Sequence, residues 1–302
     1  QGITLYHDPP SDRNQNQGIH IEMGDPALVA ELCGVPVISD LRANDVAAGG
    51  HGAPLSAYVD YLLFSHDRLY RALQNIGGIA NVTAMPPGCS LEDIICFDTG
   101  PGNMVIDGVV RRLTGGRKQF DEDGLWAAQG RVNRELLEQL LRHPYLERPL
   151  PKTTGREDFG EEFVDQVMVK SQELGLNSAD IVATVTAYTA ECMAYHYRRF
   201  LYPRGQVDEV ILGGGGTKNK TLLAFVRKCL APAAVKTHED FGIPNEAREA
   251  MTWTILADET IQGLPANVPR TSGARHPALL GRITFPWRGS TSNGVPTGTR
   301  KE

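Results

Sequence analysis

The sequence is short of several features that would each have assigned it to a class. Its five cysteines (33, 89, 96, 192 and 229) are odd in number and scattered, with no CxxC or Cys/His ligand spacing. That excludes a disulfide scaffold and a zinc module, and leaves reduced thiols and a cytoplasmic location as the expectation. No apolar run approaches the ~20 residues of a membrane span. No charged n-region followed by an apolar h-region opens the chain. Basic residues (30) are fewer than acidic ones (36), a net charge of -6. The basic footprint that nucleic acid requires is therefore missing. The Lys-Ser/Thr ending of a P-loop is missing too. The chain starts at Gln1 rather than Met, which reads as a processed or partial product.

What is present describes an ordinary globular chain. With 302 residues, 41% hydrophobic and 22% charged, it can bury a large core or divide into two lobes. Thr4–Asp8, Ile19–Met23 and Val35–Ile38 read as strands, and Pro26–Cys33 reads as a short helix with proline at its start and Gly34 at its end. Asn177 and Ser178 open the longest helix, whose stripe Ile181, Val185, Tyr188, Cys192, Tyr195 is core packing. His196 at its end reads as a satisfied histidine. In the later helix 245–257, Met251, Trp253 and Ile255 supply the expected packing face. The segment 286–302 is poor in apolar residues and expected to be disordered.

The chain is organised around Ile94–Asn103. An apolar run of strand length ends at Asp98, the turn Gly100-Pro101-Gly102 follows, and a helical pattern (Val105, Ile106, Val109, Val110, Leu113) begins. This puts a carboxylate at a strand tip facing a helix N-terminus, where ligands bind in open α/β sheets. A plain helix-capping turn would use the same residues. Upstream, Asn75-Ile-Gly77-Gly78-Ile-Ala-Asn81 reads as strand, glycine turn, strand. Its bare N–H groups could cradle an anion or simply make a tight hairpin. Downstream, the strand Val207–Leu212 runs into Gly213-Gly214-Gly215-Gly216, then Asn219 and a helix, an arrangement that lets backbone pass close under a nucleotide. The glycine-rich stretch Arg42–Leu55, with Asp40 and Asp45 beside it, reads as an irregular loop with a local Arg42–Asp45 pair.

Taken together, these motifs resemble the anhydro-N-acetylmuramic acid kinase family, in its order and spacing, from about Thr4 to about Gly281. Asp98-Thr-Gly-Pro-Gly-Asn103, the Asn75–Thr83 hairpin, Gly213–Asn219 and Asp40–Leu55 carry the likeness, with His51 where the family usually has Gln. The resemblance implies a two-lobed α/β, ribonuclease H-like fold of the sugar kinase, heat-shock and actin superfamily. It also implies an ATP- and Mg2+-dependent kinase that hydrolytically opens 1,6-anhydro-N-acetylmuramic acid and phosphorylates O6. By the same resemblance Asp98 is the base and Glu249 a second acidic group. Asp40, Arg42, Asp45, Gly49, Gly50 and Asn103 would meet the sugar. Asn75, Gly77, Gly78, Asn81, Gly213, Gly214, Gly215, Gly216 and Asn219 would meet phosphate and nucleotide. Thr153–Glu157 matches a family motif at the cleft rim. No metal ligand set can be read.

The family's first phosphate hairpin, Ser-Gly-Thr-Ser-x-Asp-Gly, is not found in the chain. The expectation is therefore a truncated first lobe: residues 1–70 joined by 264–285, with an exposed sheet edge. A second lobe would span 71–263, and the chain alone would show little activity. Two alternatives accompany the main reading, a levoglucosan kinase of the same family and a non-catalytic sugar- or nucleotide-binding remnant. A glycoside hydrolase using Asp98 and Glu249 as paired carboxylates leaves the glycine loops unexplained. The expected partners are an anhydro sugar and ATP, with a homodimer admitted but not read from the chain.

Overall fold

The computed structural model describes residues 3–11, 14 and 17–287; the expected disorder of the tail beyond 287 lies outside them. The strands are β1 Ile3–Asp8, β2 Ile19–Met23, β3 Val37–Ser39, β4 Arg71–Ile76, β5 Ile79–Met85, β6 Ile95–Pro101, β7 Glu209–Gly213, β8 Ala234–Thr237 and β9 Arg282–Thr284. The helices are α1 Pro26–Cys33, α2 Ala43–Ala47, α3 Ser56–Phe64, α4 Asn103–Thr114, α5 Arg134–Leu140 and α6 Arg156–Phe159. They continue with α7 Glu161–Glu173, α8 Ser178–His196, α9 Lys220–Leu230, α10 Arg248–Gln262 and α11 Pro269–Ser272. The fold is mixed α/β. It divides into two compact units, Gln1–Leu55 with Ala250–Glu302, and Ser56–Glu249. Among the described residues no helix is long and apolar enough to cross a membrane.

In the first unit β1 pairs antiparallel with β2, and β3 with β9. Helix α1 forms where its punctuation says it should. The Asp25 side chain accepts from the Ala27 and Leu28 N–H groups, Pro26 follows, and Gly34 closes the helix in the left-handed region at φ 67°. The stretch after β3 is more regular than expected, because residues 43–47 form α2. Asp45, 0% exposed, explains how. Its Oδ2 accepts from Gly52 N at 2.8 Å, and its Oδ1 accepts from Asn267 Nδ2 at 2.6 Å and Ser272 Oγ at 2.7 Å. Arg42 grips Gly52 from the other side, donating to its carbonyl at 2.6 Å, and lies 5.1 Å over the Trp253 ring. The packing face of α10 is Thr252, Leu256 and Thr260 rather than Met251, Trp253 and Ile255, which are only half-buried. Thr260 can sit inside because its hydroxyl donates to the Leu256 and Leu280 carbonyls.

The second unit is built on a five-stranded sheet, ordered β6-β5-β4-β7-β8. β4, β5 and β6 pair antiparallel in sequence, whereas β4–β7 and β7–β8 pair parallel. Strand alternation sends Ala72, Ile76, Val82, Phe97, Val210 and Leu212 into a large core. There they meet Val105 and Val109 of α4, Val164 of α7, Val185 and Tyr188 of α8, and Val226 of α9. The opposite face carries a smaller core of Leu73, Met85 and Ile211 with Phe64 of α3. Asn177 caps α8 by accepting from Asp180 N at 3.0 Å. Of the expected stripe, Ile181, Val185, Tyr188 and Cys192 are buried and Tyr195 is half-buried. Most of the residues between them are buried as well, because the helix is covered on several sides.

Candidate functional site

Three of the motifs meet at one end of this sheet. Cross-strand register pairs Asn75 with Asn81, Asn81 with Asp98, and Asn75 with Gly213. Directly opposed residues on neighbouring strands share a face with Cβ atoms about 5 Å apart. Asp98, Asn81, Asn75 and the first glycine of the glycine run thus form one row across four strands.

Asp98 is not at the strand tip that its sequence suggests. Strand β6 continues three residues further, and a bulge opposite Ala80–Asn81 leaves Thr99 as the extra residue. Buried Gln74 secures the bulge, its Nε2 donating to Thr99 Oγ1 at 3.0 Å and to the Asn81 carbonyl at 2.9 Å. Thr99 in turn donates to the Ala80 carbonyl. The Asp98 carboxylate accepts from Thr154 N at 2.9 Å through Oδ2. Burial pushes this carboxyl up to about 6; the Thr154 hydrogen bond and the Lys152 charge oppose the shift, and Glu157 adds to it. Such a group is ionised at neutral pH yet basic enough to take a proton.

The hairpin between β4 and β5 is tied to the next helix through its carbonyls. Its Gly77 and Gly78 carbonyls accept from Gly102 N (2.9 Å), Asn103 N (2.7 Å) and Met104 N (3.1 Å), filling the first turn of α4. Approach is so close that a Cβ on Gly102 would lie 2.2 Å from the Gly77 carbonyl oxygen. Hairpin and helix are therefore one piece. Across the row, Gly214 adopts φ +84°, and a Cβ there would meet the Ile76 carbonyl oxygen at 2.6 Å and Asn75 Oδ1 at 2.7 Å. The Asn245 side chain holds this glycine by both main-chain groups, accepting from its N–H at 3.0 Å and donating to its carbonyl at 2.9 Å. Beside the glycine loop a cavity of about 330 Å³ is lined by Asn103, Asp107, Phe120, Gly215, Lys218 and Asn219, among others. Asn219 also caps α9, its side-chain oxygen accepting from Leu222 N at 2.8 Å.

Other expected residues are placed as follows. Glu249 is exposed in the first turn of α10. In the first unit, Asp40 takes φ 54° and lies 3.7 Å from Arg282. Gly49 (φ +92°) packs under Arg275, and a Cβ on Gly50 would meet Asp45 Oδ2 at 2.2 Å. Asp45 is a buried tie with both oxygens engaged, so it shapes this loop from inside rather than presenting a face to a ligand.

Sequence reasoning passed over several groups. Arg248 donates to the buried Asp60 at 2.5 Å, and Thr83 bridges Asp60 to Cys96 on the Asp98 face of the sheet. Burial raises the Asp60 carboxyl, and Arg248 counters it. Tyr145 donates its hydroxyl to the Asp98 carbonyl at 2.6 Å. Lys152 is 5% exposed with its ammonium 2.7 Å from His196 Nε2. The only signal for these last two was a proline-rich stretch next to the Thr-Gly-Arg-Glu motif.

Comparison with known proteins agrees with the geometry. The family described as "AnmK: Anhydro-N-acetylmuramic acid kinase" matches residues 1–286. A relative named anhydro-N-acetylmuramic acid kinase from Caldanaerobacter subterraneus subsp. tengcongensis is 47% identical over 286 residues, 94% of this chain and 72% of that protein. One of the same name from Clostridioides difficile is 40% identical over 283 residues, 94% of this chain and 73% of its own length. Among solved structures, the activator of the 2-hydroxyisocaproyl-CoA dehydratase from Clostridium difficile with bound ADPNP covers 73% of this chain and 66% of its own. Its TM-score is 0.42 at 13% identity, too slight a likeness to argue from. The chain belongs to the anhydro-N-acetylmuramic acid kinase family.

Proposed function

We propose, from that family membership, that this chain is the kinase of 1,6-anhydro-N-acetylmuramic acid, opening the anhydro bridge with water and transferring the γ-phosphoryl group of ATP to O6. The observation that carries the reading is the row Asp98–Asn81–Asn75–Gly213, a base, two amides and a glycine loop side by side on one sheet face. The strand order, three antiparallel strands extended by two parallel ones, supports a ribonuclease H-like lobe of the sugar kinase, heat-shock and actin type.

In this mechanism Asp98 takes a proton from a water that attacks the anomeric carbon, with the carboxylate steadied through Oδ2 by Thr154 N. The C1–O6 bond breaks, and the water oxygen becomes the hydroxyl on C1. O6 then attacks the γ-phosphorus, and ADP leaves. The backbone cradle at Gly214–Gly216 and the adjoining cavity fit a nucleotide, whose phosphates would run toward Asn75 and Asn81. Among the described residues no cluster of three or more His, Cys, Asp or Glu could hold a metal. Mg2+, when bound with the nucleotide, would screen the charge of the phosphates. Asp40, Arg42, Gly49 and Gly50 are assigned to sugar recognition on the family resemblance, and Glu249 to an auxiliary acidic role.

The test is ADP release with ATP·Mg2+ and either 1,6-anhydro-N-acetylmuramic acid or levoglucosan. Turnover with the first supports the reading. Turnover with the second alone makes the chain a levoglucosan kinase. Tight binding of both ligands by calorimetry without turnover makes it a binding remnant.

A further inference from the structure

Lys152 is a nearly buried ammonium with no part in the chemistry above. Its Nζ donates to the Tyr145 carbonyl at 2.7 Å and reaches the Leu146 carbonyl at 3.5 Å. It also lies 4.0 Å over the Tyr145 ring. Its third partner is His196 Nε2 at 2.7 Å. His196 is 0% exposed, and its Nδ1 lies 2.7 Å from the Cys192 carbonyl, which fixes the tautomer with Nδ1 as donor and Nε2 as acceptor. Burial holds this imidazole down to about 4 and draws the Lys152 ammonium down to about 8, so at neutral pH the pair carries at most one positive charge, on the lysine. The ammonium therefore has a complete set of acceptors, and it fastens the chain at 145–146 to the chain at 152 and to α8.

The fastened segment is the one that encloses Asp98. Three of its residues bond to Asp98 by three different groups. Tyr145 Oη donates to the Asp98 carbonyl (2.6 Å), Asp98 N donates to the Lys152 carbonyl (3.3 Å), and Thr154 N donates to the carboxylate (2.9 Å). Thr154 is itself anchored by its hydroxyl on Asp158, which Arg148 grips through two parallel hydrogen bonds. A lysine that a hydrophobic residue could replace for packing alone would not need this arrangement.

We propose that Lys152 is a positioning residue for Asp98: its ammonium closes the 145–154 segment so that Thr154 occupies Oδ2 and Oδ1 is left aimed at the reacting water. This rests on the reading of Asp98 as the base. The charge also acts directly, because Lys152 favours the ionised carboxylate. The other titratable groups facing Asp98 are Glu157 and Tyr145 from the segment and Cys96 from the sheet face, with the Asp60–Arg248 pair acting on Cys96 in turn. Those facing Lys152 are Arg148 and Glu147 from its own segment, and Arg199, Cys192 and His196 from α8 and the turn after it.

The test compares Lys152→Met, Lys152→Arg and Tyr145→Phe with the unaltered 302-residue chain. The Asp98 carboxyl is titrated by 13C NMR, its signal identified by its loss in Asp98→Asn. Turnover with 1,6-anhydro-N-acetylmuramic acid and ATP·Mg2+ is followed as ADP release. Expected for Lys152→Met are an Asp98 titration displaced to higher pH and a kcat about 10–100-fold lower, with the KM for ATP unchanged. Lys152→Arg keeps the charge but not the compact donor geometry. Its titration should move less than that of Lys152→Met, since only the clasp and not the charge is altered, while kcat still falls. A merely structural lysine would lower the melting temperature in both variants and leave the Asp98 titration where it was, and that result overturns the proposal. If Lys152→Met does not fold, Tyr145→Phe decides, since it removes only a hydroxyl. A kcat lowered about 10-fold supports the clasp, and an unchanged kcat overturns it. The titration needs no turnover, so it reads the clasp even if Asp98→Asn proves fully active and the base assignment fails.

Discussion

Replacing Asp98 by Asn should abolish turnover and make the protein more stable, and the gain should depend on pH. The carboxyl is raised from 3.8 to about 6, chiefly by burial. At about 1.4 kcal/mol per pH unit, holding it ionised in the fold costs about 3 kcal/mol. The sign follows from proton linkage: a folded-state pKa above the unfolded one means the native state binds the proton more tightly. The contribution of the group is complete below pH 3.8, declines as pH rises, and is gone above about 6. Asparagine never ionises and can still accept from Thr154 N, and the charge-assisted part of that hydrogen bond is already contained in the net shift to about 6. Asp98→Asn should therefore be about 3 kcal/mol more stable than the wild type at pH 7.5, roughly 6–12 °C in melting temperature for a unit of this size. At pH 4.5, between the unfolded and folded pKa values, the difference should shrink to about 1 kcal/mol. Melting curves of both proteins at the two pH values, read as the difference between them, cancel every other titrating group. A variant that melts at or below the wild-type temperature at pH 7.5 would refute the view that burial tunes this base.

Three further outcomes follow from the same geometry. The wild-type pH profile of kcat/KM should rise through an acid limb near pH 6, since Asp98 must be ionised to act; a limb near pH 4 would remove burial from the mechanism. Arg248→Met should destabilise by about 3–5 kcal/mol, because it strands the buried Asp60 carboxyl. The double variant with Asp60→Asn should recover most of that loss in denaturant melts. Gly102→Ala drives a Cβ to 2.2 Å from the Gly77 carbonyl oxygen, so it should prise the hairpin from α4, cost about 1–3 kcal/mol, and weaken ATP binding measured by calorimetry.

Local rules made much of this molecule readable. Asp25, Pro26 and Gly34 delimit α1 because capping is decided within four residues. Asn177 and the stripe of α8 were equally plain, and Gly77-Gly78 could only be a tight turn. The residue type at 98 marked it as a candidate base, but its position in the strand could not be read. The bulge that sets it depends on Gln74, 25 residues from its partner Thr99. Lys152 was invisible for the same reason: it has no periodicity, prolines precede it, and its histidine partner is 44 residues on. Asn245 reaches back 31 residues to Gly214, and nothing in either neighbourhood announces the pairing. In the glycine-rich loop Arg42–Leu55 the composition suggested irregularity, yet Asp45 gathers hydrogen bonds from residues more than 200 positions away and makes it an ordered turn. Long-range polar ties are what a single sequence hides.

The reach of Asp45 has a consequence for how the protein is born. Its partner Asn267 is 222 residues further along, and a ribosome working at ~5–20 residues per second needs roughly 10–45 s to deliver it. During that interval the chain 56–249 can emerge and settle around its own sheet. Residues 1–55 meanwhile hold a carboxylate meant for the interior and none of the later groups that satisfy its burial. Residues 1–55 thus wait, open to chaperones and proteases, until their complement leaves the exit tunnel.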